Sequence, residues 1–400
     1  MHDAGGTGES IWSKTFISLF CVNGIISFGQ TMMNVLISLY ADSLGADASL
    51  VGFTVSVFAY SGLLLKLVSA PAIDAFSRKK LLFGSLLLLT LSYFLMFISS
   101  NIAMLICARL LQGAAMAFAT TTCLTMATDT LPPERISSGI GFYSVAQAAC
   151  SAVGPVIGLG LAGALGYNAA FAIAAAFMAL GMLSVLLVDE PEHARRPFKI
   201  SLSNVFAKET VLPAFLAALL AIGFYNINAF LTLYAVERGV GDSIGWFFTL
   251  NALLMLLSRP LMGSLADRFG FVKVMIPSMI CFGLSLFTIS LATSLPVFLL
   301  AAVFAAFGYG ASAPMIQAFS MKSVPPERRG AGSSAYFIGM DLGNLVGPVI
   351  GGHVAGAVGY ATMWDVMIIP IALAFLLVLA LRKHITAVDR GAATSHASDR

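Results

Sequence analysis

The chain has 400 residues, of which 58% are hydrophobic and only 10% are charged, and its formal net charge is +3. Soluble domains carry about 25% charged residues, and burial in a water-soluble core is limited by surface-to-volume scaling. The composition therefore argues against a soluble enzyme, a nucleic-acid-binding protein and a disordered chain.

Twelve apolar runs follow one another along the chain, and each is long enough for a helix that crosses a bilayer, which takes about 20 residues. The runs are uniformly apolar rather than alternating, which favours helices over a β-barrel. The predicted spans are 15–41, 49–73, 80–99, 102–126, 138–163, 169–188, 210–237, 244–266, 273–294, 297–320, 331–355 and 361–381. The first run is too long for the apolar part of a signal peptide, so we expect it to remain in the membrane.

The basic residues predict the orientation of these spans. Eighteen of the 22 Lys and Arg residues fall in segments on the side of the N-terminus, whereas only Arg238 falls on the opposite side. Because cytoplasmic segments carry the excess of basic residues, we expect both termini in the cytoplasm and the protein in the plasma membrane. The predicted organisation is an N-terminal tail (1–14), a six-helix bundle (15–188), a cytoplasmic loop (189–209), a second six-helix bundle (210–381) and a disordered C-terminal tail (382–400).

Motifs for metal binding and catalysis are missing from the sequence. The five cysteines all lie in apolar runs, and none forms a CxxC pair or has a histidine at ligand spacing. No HExxH motif, nucleophile elbow or phosphate-binding loop occurs. We therefore expect no metal, no cofactor and no enzymatic activity.

Three segments recur at a fixed offset of 193 residues. LPPER at 131–135 returns as VPPER at 324–328, GPVIG at 154–158 returns at 347–351, and AGALGY at 162–167 returns as AGAVGY at 355–360. At the same offset Asp74 matches Asp267, and Lys66 matches Arg259. The chain is therefore predicted to be two parallel six-helix halves, an arrangement typical of transporters that rock one half against the other around a midplane site.

Three motifs connect these halves to a known family. Residues 263–270 read GSLADRFG and are followed by Lys273, with a degenerate copy at 70–79; residues 109–113 read RLLQG; and Gly141, Gly154, Pro155 and Gly158 punctuate the fifth span. These residues resemble the major facilitator superfamily, and within it the twelve-span drug:proton antiporters and the sugar-efflux-like proteins. The resemblance implies an all-α membrane protein, with twelve transmembrane helices in two pseudo-symmetric six-helix bundles.

The same resemblance implies a set of gating residues near the cytoplasmic ends of the helices. The family pattern places Asp74 and Asp267 against helix N-termini of the opposite half, where a carboxylate is favourable. It makes Asp129 the partner of Arg78, and the Gly154–Pro155 pair permits close helix approach and a kink. The predicted gating residues are Asp74, Arg78, Asp129, Gly154, Pro155, Asp267 and Arg268. The alternative is that the charges are solvated and only set the topology.

Four charges fall within predicted spans, namely those of Lys66, Arg109, Arg259 and Asp341. Each costs roughly 2.5–3.5 kcal/mol at a helix centre, so unpaired charges are rarely tolerated. Asp341 is about 15 Å into span eleven and Lys66 about 12 Å into span two from the same side. Because spans two and eleven meet in the fold that the resemblance implies, we expect these two residues to be neighbours.

Asp341 is the best candidate for a proton-binding group, because burial raises the pKa of a carboxyl whereas a nearby ammonium lowers it. The resemblance associates Arg109 with proton coupling, and Lys66 would tune the acid. The alternatives are a purely structural Lys66–Asp341 pair, and hydrogen bonds from Arg109 to backbone carbonyls.

Arg259 has no obvious acidic partner in the sequence. The repeat places Ala148 where the other half has Asp341, and the four charges within the spans sum to +2. One reading is that an anionic substrate supplies the missing negative charge. The other is that Arg259 extends towards the cytoplasmic interface.

Further residues on the cavity-forming spans are candidates for substrate binding. They have amide, aromatic or, in one case, guanidinium side chains. The set is Asn23, Gln30, Asn34, Tyr143, Gln147, Tyr225, Asn226, Asn228, Arg259, Tyr336 and Phe337.

The sequence thus predicts a secondary transporter that moves a small organic molecule by alternating access, with proton-coupled efflux as the preferred mode. Its expected partners are the small-molecule substrate, protons and the lipid bilayer, with no nucleic acid, and the expected state is a monomer. Two alternatives remain: uptake or exchange of an organic anion through Lys66 and Arg259, and a sensor or scaffold without transport.

Overall fold

The computed structural model describes residues 12–131, 136–186, 188, 208–325 and 329–389, and these are almost entirely helical, with no strand among them. The helices are α1 (Lys14–Ser43), α2 (Ala48–Ala75), α3 (Arg78–Phe97), α4 (Ile102–Asp129), α5 (Ile136–Leu165), α6 (Tyr167–Val185), α7 (Val211–Glu237), α8 (Gly245–Phe269), α9 (Phe271–Ser290), α10 (Leu295–Lys322), α11 (Arg329–Val358), α12 (Tyr360–Val366) and α13 (Ile368–Ala380). Every predicted span corresponds to a helix, except that the twelfth is broken at Met367 into α12 and α13.

The helices are long enough to cross a bilayer. Within the described residues, eleven helical segments combine sufficient length with sufficient hydropathy, and α12 and α13 count together as one of them. The remaining helix, α11, has 30 residues and is about 45 Å long. Its many glycines, Asp341 and His353 lower its mean hydropathy.

Short polar or glycine signals determine where the helices begin. The side chains of Ser13, Asp47, Ser77 and Asn101 accept hydrogen bonds from backbone N–H groups in the first turns of α1 to α4. Gly166 and Gly359, which are equivalent in the repeat, have φ values of +82° and +84° and let the chain reverse between consecutive helices within one residue.

Two six-helix bundles, α1–α6 and α7–α13, meet along two equivalent seams. In one seam α2 packs against α11, and in the other α5 packs against α8, while α1 meets α7 between them. The repeat exchanges these two seams, so the fold has the pseudo-symmetry that the recurring segments predict.

Closely packed glycines close the seams at the ends of α2, α5, α8 and α11 that the basic residues predict to be outside the cell. Gly52 lies so close to the Pro348 carbonyl, and Gly352 so close to the Ala48 carbonyl, that neither position has room for a Cβ atom. In the other seam a Cβ on Gly245 would lie 3.2 Å from the Val156 Cα. Backbone therefore meets backbone across the bundle interface on this side.

The prediction of a disordered tail from residue 382 onwards is wrong for its first part. Residues 382–389 are helical, Ile385 is fully buried, and the Asp389 carboxylate accepts hydrogen bonds from the Phe271 N–H at 3.1 Å and from Lys322 Nζ at 3.0 Å. Gly270 precedes α9 and has no side chain to cap it, so Asp389 supplies this cap from the tail. Residues 390–400 lie outside the described part of the chain.

Candidate transport cavity

A cavity of about 570 Å³ lies between the two bundles. Its walls come from α1, α2, α4 and α5 on one side and from α7, α8 and α11 on the other. This volume is in the range of pockets that hold small organic ligands. The cavity lies midway along these helices, as expected for a transporter site at the bilayer midplane.

The Lys66–Asp341 pair spans the interface between the bundles at the cavity. The Lys66 Nζ lies 2.6 Å from the Asp341 Oδ2, which confirms the predicted proximity. The two side chains are 42% and 17% exposed, so the pair is open to water in the cavity rather than sealed in protein. Tyr225 on α7 lies within electrostatic range of Asp341.

Arg109 is 2% exposed, and backbone groups and one amide, rather than an acid, satisfy its guanidinium. It donates to the Thr54 and Val55 carbonyls on α2 at 3.4 and 2.8 Å and to Gln112 Oε1 at 2.7 Å. Its guanidinium also stacks over the Phe58 ring, 4.8 Å from the centroid. The carbonyl bonds foreseen as an alternative therefore exist, while Arg109 also lines the cavity.

A chain of amides leads from Arg109 to the cavity wall. Gln112 Nε2 donates to Gln30 Oε1 at 3.2 Å, and Gln30 Nε2 donates to Asn34 Oδ1 at 3.0 Å. Gln112 also lies 3.4 Å from the Tyr93 hydroxyl and is fully buried. Gln112 is not among the residues predicted from the sequence, although it belongs to the RLLQG motif.

Arg259 lines the cavity from α8, and its side chain is exposed. Among the described side chains it forms no ion pair, whereas Lys66, Arg78 and Lys322 do. Tyr309 and Tyr336 lie within electrostatic range of its guanidinium. It lies ten residues, or about 15 Å, before the end of α8 at Phe269.

The structure divides the predicted substrate-binding residues into two groups. The cavity is lined by Gln30, Asn34, Gln147, Tyr225, Asn228 and Arg259. Five other candidates do not line it: Asn23, Tyr143, Asn226, Tyr336 and Phe337.

Local packing explains why these five lie elsewhere. Asn23 is buried between α1 and α5, where it donates to the Tyr143 carbonyl at 3.0 Å, and Tyr143 is itself buried. Asn226 is fully buried and bonds the Ile222 carbonyl on its own helix. Tyr336 is buried, whereas Phe337 next to it is exposed away from this cavity.

Aromatic residues and two further amides in the cavity wall are absent from the predicted set. The aromatic ones are Phe58, Phe224, Phe247 and Phe248, and the amides are Asn251 and Asn344. No periodic signal distinguishes them in apolar spans, because lipid-facing and cavity-facing positions are both apolar.

The structure describes the side-chain contacts of some of the predicted gating residues but not of all of them. Arg78 and Asp129 form an ion pair between the ends of α3 and α4, as the family pattern implies. Gly154 allows α1 to approach α5, where the Thr31 hydroxyl donates to the Cys150 carbonyl at 3.0 Å, and Pro155 lines the cavity.

The structure shows less about the other three charged residues predicted to act in gating. Arg268 lies over the Phe269 ring, 5.2 Å from its centroid. The side chains of Asp74 and Asp267 lie outside the described part of the structure.

Comparison with known proteins assigns the fold. The sequence pattern of the Major Facilitator Superfamily matches residues 19–242 and 213–397. The chain belongs to this superfamily.

The similar proteins include a multidrug resistance protein and two transporters of known structure. Multidrug resistance protein 1 of Bacillus subtilis (strain 168) is 25% identical over 352 residues, which is 85% of this chain and 87% of that protein. The nucleoside transporter NupG superposes with a TM-score of 0.77 at 14% identity, covering 93% of this chain and 100% of that one. A POT family transporter in complex with 5-aminolevulinic acid superposes with a TM-score of 0.79 at 14% identity, covering 93% and 96%. The protein is thus a multi-pass membrane transporter of the secondary type and not an enzyme.

Proposed function

We propose that this transporter couples the movement of a small organic molecule to protons, and that Asp341 binds the coupling proton. The observation that carries the proposal is the Lys66–Asp341 ion pair, which joins α2 of one bundle to α11 of the other inside the water-accessible cavity. An acid placed there can exchange its proton with the cavity and also contributes to the contact between the bundles.

Protonation of Asp341 changes the energy of that contact. The ionised carboxylate attracts Lys66 across the seam, whereas the neutral acid does not, so one proton alters the relative stability of two bundle arrangements. Arg109 sits in the same cavity and keeps its charge throughout, because its hydrogen bonds need no acid.

Export is the direction that we propose first, since the relative with 25% identity is named a multidrug resistance protein. In that mode protons enter as the substrate leaves, across a plasma membrane with both termini in the cytoplasm. The predicted gating residues would close the cytoplasmic side once per cycle.

Uptake of an organic anion is the second candidate, and it is favoured by Arg259, which lines the cavity without an acidic partner among the described side chains. The two modes predict opposite effects of a proton gradient on the direction of substrate movement.

Flux measurements in proteoliposomes test the proton site. A compound that stabilises the purified protein is loaded, and its movement is followed with and without an imposed gradient of about one pH unit. One proton per neutral substrate then drives about tenfold accumulation. We expect the gradient effect to vanish in Asp341→Asn and to persist in the wild type.

Asp389→Asn is the matched control, because it changes the same group in another Lys–Asp pair, at the C-terminal helix and away from the cavity. A gradient effect retained in Asp341→Asn would refute the proton role. Absence of any flux in the wild type would favour the sensor or scaffold.

A further inference from the structure

We infer that Arg259 is one half of an ion pair whose acidic half is supplied by the substrate, and that the substrate is an amphipathic organic anion bound through its carboxylate. This inference rests on the proposed function for the proton on Asp341, and it selects the second of the two directions.

The internal repeat shows what is missing opposite Arg259. Lys66 and Arg259 are 193 residues apart, so they occupy equivalent positions on α2 and α8. The partner of Lys66 is Asp341 on α11, and the equivalent position on α5 is Ala148. Since α5 packs against α8 as α11 packs against α2, the described side chains give one seam a complete pair and the other only the cation.

The charges around the cavity agree with this asymmetry. Its described charged residues are Lys66, Arg109, Arg259 and Asp341, which sum to +2. Arginine does not lose its proton in proteins, so this excess cannot be relieved by deprotonation of Arg109 or Arg259. An anion that enters the cavity reduces the excess charge, whereas a cation increases it.

The residues along one face of α8 indicate the chemical character of the part of the ligand beyond its carboxylate. Phe248, Met255 and Arg259 all line the cavity, and Phe248 lies eleven residues, or about 16 Å, before Arg259 on the same helix. Phe224 and Tyr225 line the facing part of α7. A ligand with its carboxylate at Arg259 would therefore place an apolar or aromatic body along this wall, and Arg is well suited to bind a carboxylate through two hydrogen bonds.

The proton on Asp341 strengthens binding of such an anion. When Asp341 is neutral, Lys66 loses its partner and its ammonium becomes free to attract the ligand. Lys66 on α2 pairs with Asp341, and Tyr225 on α7 lies within electrostatic range of it. Arg109 on α4 and Arg259 on α8 line the same cavity. Tyr309 on α10 and Tyr336 on α11 lie within electrostatic range of Arg259. Asp341 is the one acid among the described residues that line the cavity, so adding the proton makes the cavity more positive. Proton and anion therefore bind together and move in the same direction, which an inward proton gradient turns into uptake.

Matched pairs of ligands test the inference. Thermal unfolding of the purified full-length protein is followed with 2-naphthoate or its neutral amide, 2-naphthamide, and with benzoate or benzamide, at fixed salt. We expect each acid to stabilise the protein at lower concentration than its amide. Equal effects of both acids and their amides would overturn the proposal.

Three variants locate the site. Arg259→Gln should weaken binding of the acids by about tenfold to a hundredfold and leave the amides unaffected, since a hydrogen bond to a charged group is lost. Ala148→Asp supplies the missing acid within the chain and should abolish the preference for acids, whereas Ala148→Asn should retain it. If acid binding survives in both Arg259→Gln and Ala148→Asp, the anion site is elsewhere and the inference fails.

A pH series separates this inference from the proposed function. In the wild type, binding of 2-naphthoate should tighten when the pH is lowered enough to protonate Asp341, by about an order of magnitude or less for one added charge. Asp341→Asn should bind it equally well at every pH. If binding that depends on Arg259 tightens at low pH as much in Asp341→Asn as in the wild type, only the proton site is refuted. If the flux of neutral compounds depends on pH while acids bind no better than their amides, only the anion site is refuted.

Discussion

Arg109 keeps its charge in the protein interior because two carbonyls, one amide and an aromatic ring surround it. Gln112 is central to this arrangement, since it accepts from Arg109 and donates to Gln30, which continues to Asn34 at the cavity. Buried polar groups need such partners, because an unpaired one costs about 1–3 kcal/mol. The ordered amide chain therefore depends on a residue that does not itself line the cavity.

Replacement of Gln112 by Leu should lower the thermal unfolding temperature of the purified protein. The change removes one acceptor of Arg109 and the donor to Gln30, so about 1–3 kcal/mol of stability should be lost. Thr120→Val is the control, because Thr120 lines the cavity but bonds only the Met116 carbonyl on its own helix. Equal unfolding temperatures for Gln112→Leu and the wild type would show that the amide chain contributes nothing.

At the scale of helices, the seams between the bundles pack closely at their predicted outer ends because glycines, rather than charged pairs, lie there. Gly52 on α2 and Gly245 on α8 are equivalent in the repeat, and each faces the helix of the other bundle beside a proline, Pro348 on α11 and Pro155 on α5. A side chain at such a position must push the helices apart. The arrangement closed on this side is therefore sensitive to single methyl groups.

Gly52→Val should shift the protein towards the arrangement that is open on this side. Overpacking costs typically about 1–3 kcal/mol, which corresponds to roughly a 5- to 150-fold change in the conformational equilibrium. Spin labels at residues 43 and 237, exposed positions at the ends of α1 and α7, should report a longer distance in a variant without native cysteines. Gly84→Val is the control, because a Cβ on Gly84 has no neighbour within 4 Å, and it should leave the distance unchanged; a shift as large as that of Gly52→Val would contradict the packing argument.

The helical segment 382–389 stabilises the second bundle through one carboxylate. Asp389→Ala removes the cap of α9 and the pair with Lys322, so the free energy of unfolding should fall by about 0.5–2 kcal/mol. Asp389→Asn should lose less, because asparagine is also a good cap. Thermal unfolding of both variants checks this, and a larger loss in Asp389→Asn than in Asp389→Ala would contradict the capping role.

For the molecule as a whole, the apolar runs made the helices predictable from the sequence, and the fold implied by the family resemblance made the Lys66–Asp341 contact predictable. A fixed offset places equivalent residues at equivalent depths, and a charge in the membrane requires a partner. The rotation of each helix about its axis was not predictable, since lipid and protein interior are both apolar. Asn23 and Asn226 therefore looked like cavity residues, although they face neighbouring helices or their own backbone.

The end of the chain shows a second limit of the sequence pattern. A stretch rich in charge and small residues is typical of disorder, yet Ile385 and Asp389 tie residues 382–389 to the second bundle. Ser77 provides its own cap in the first half, whereas Gly270 at the equivalent position cannot. Only the contact with a distant segment reveals how the missing cap is replaced.

The contacts of Gly52 and Gly352 with carbonyls across the seam carry no net charge. Dissolved ions screen attractions between charges but do not weaken close fit between uncharged atoms. Leakage of protons or solutes past these two contacts is therefore expected to stay equally low in dilute and saline media.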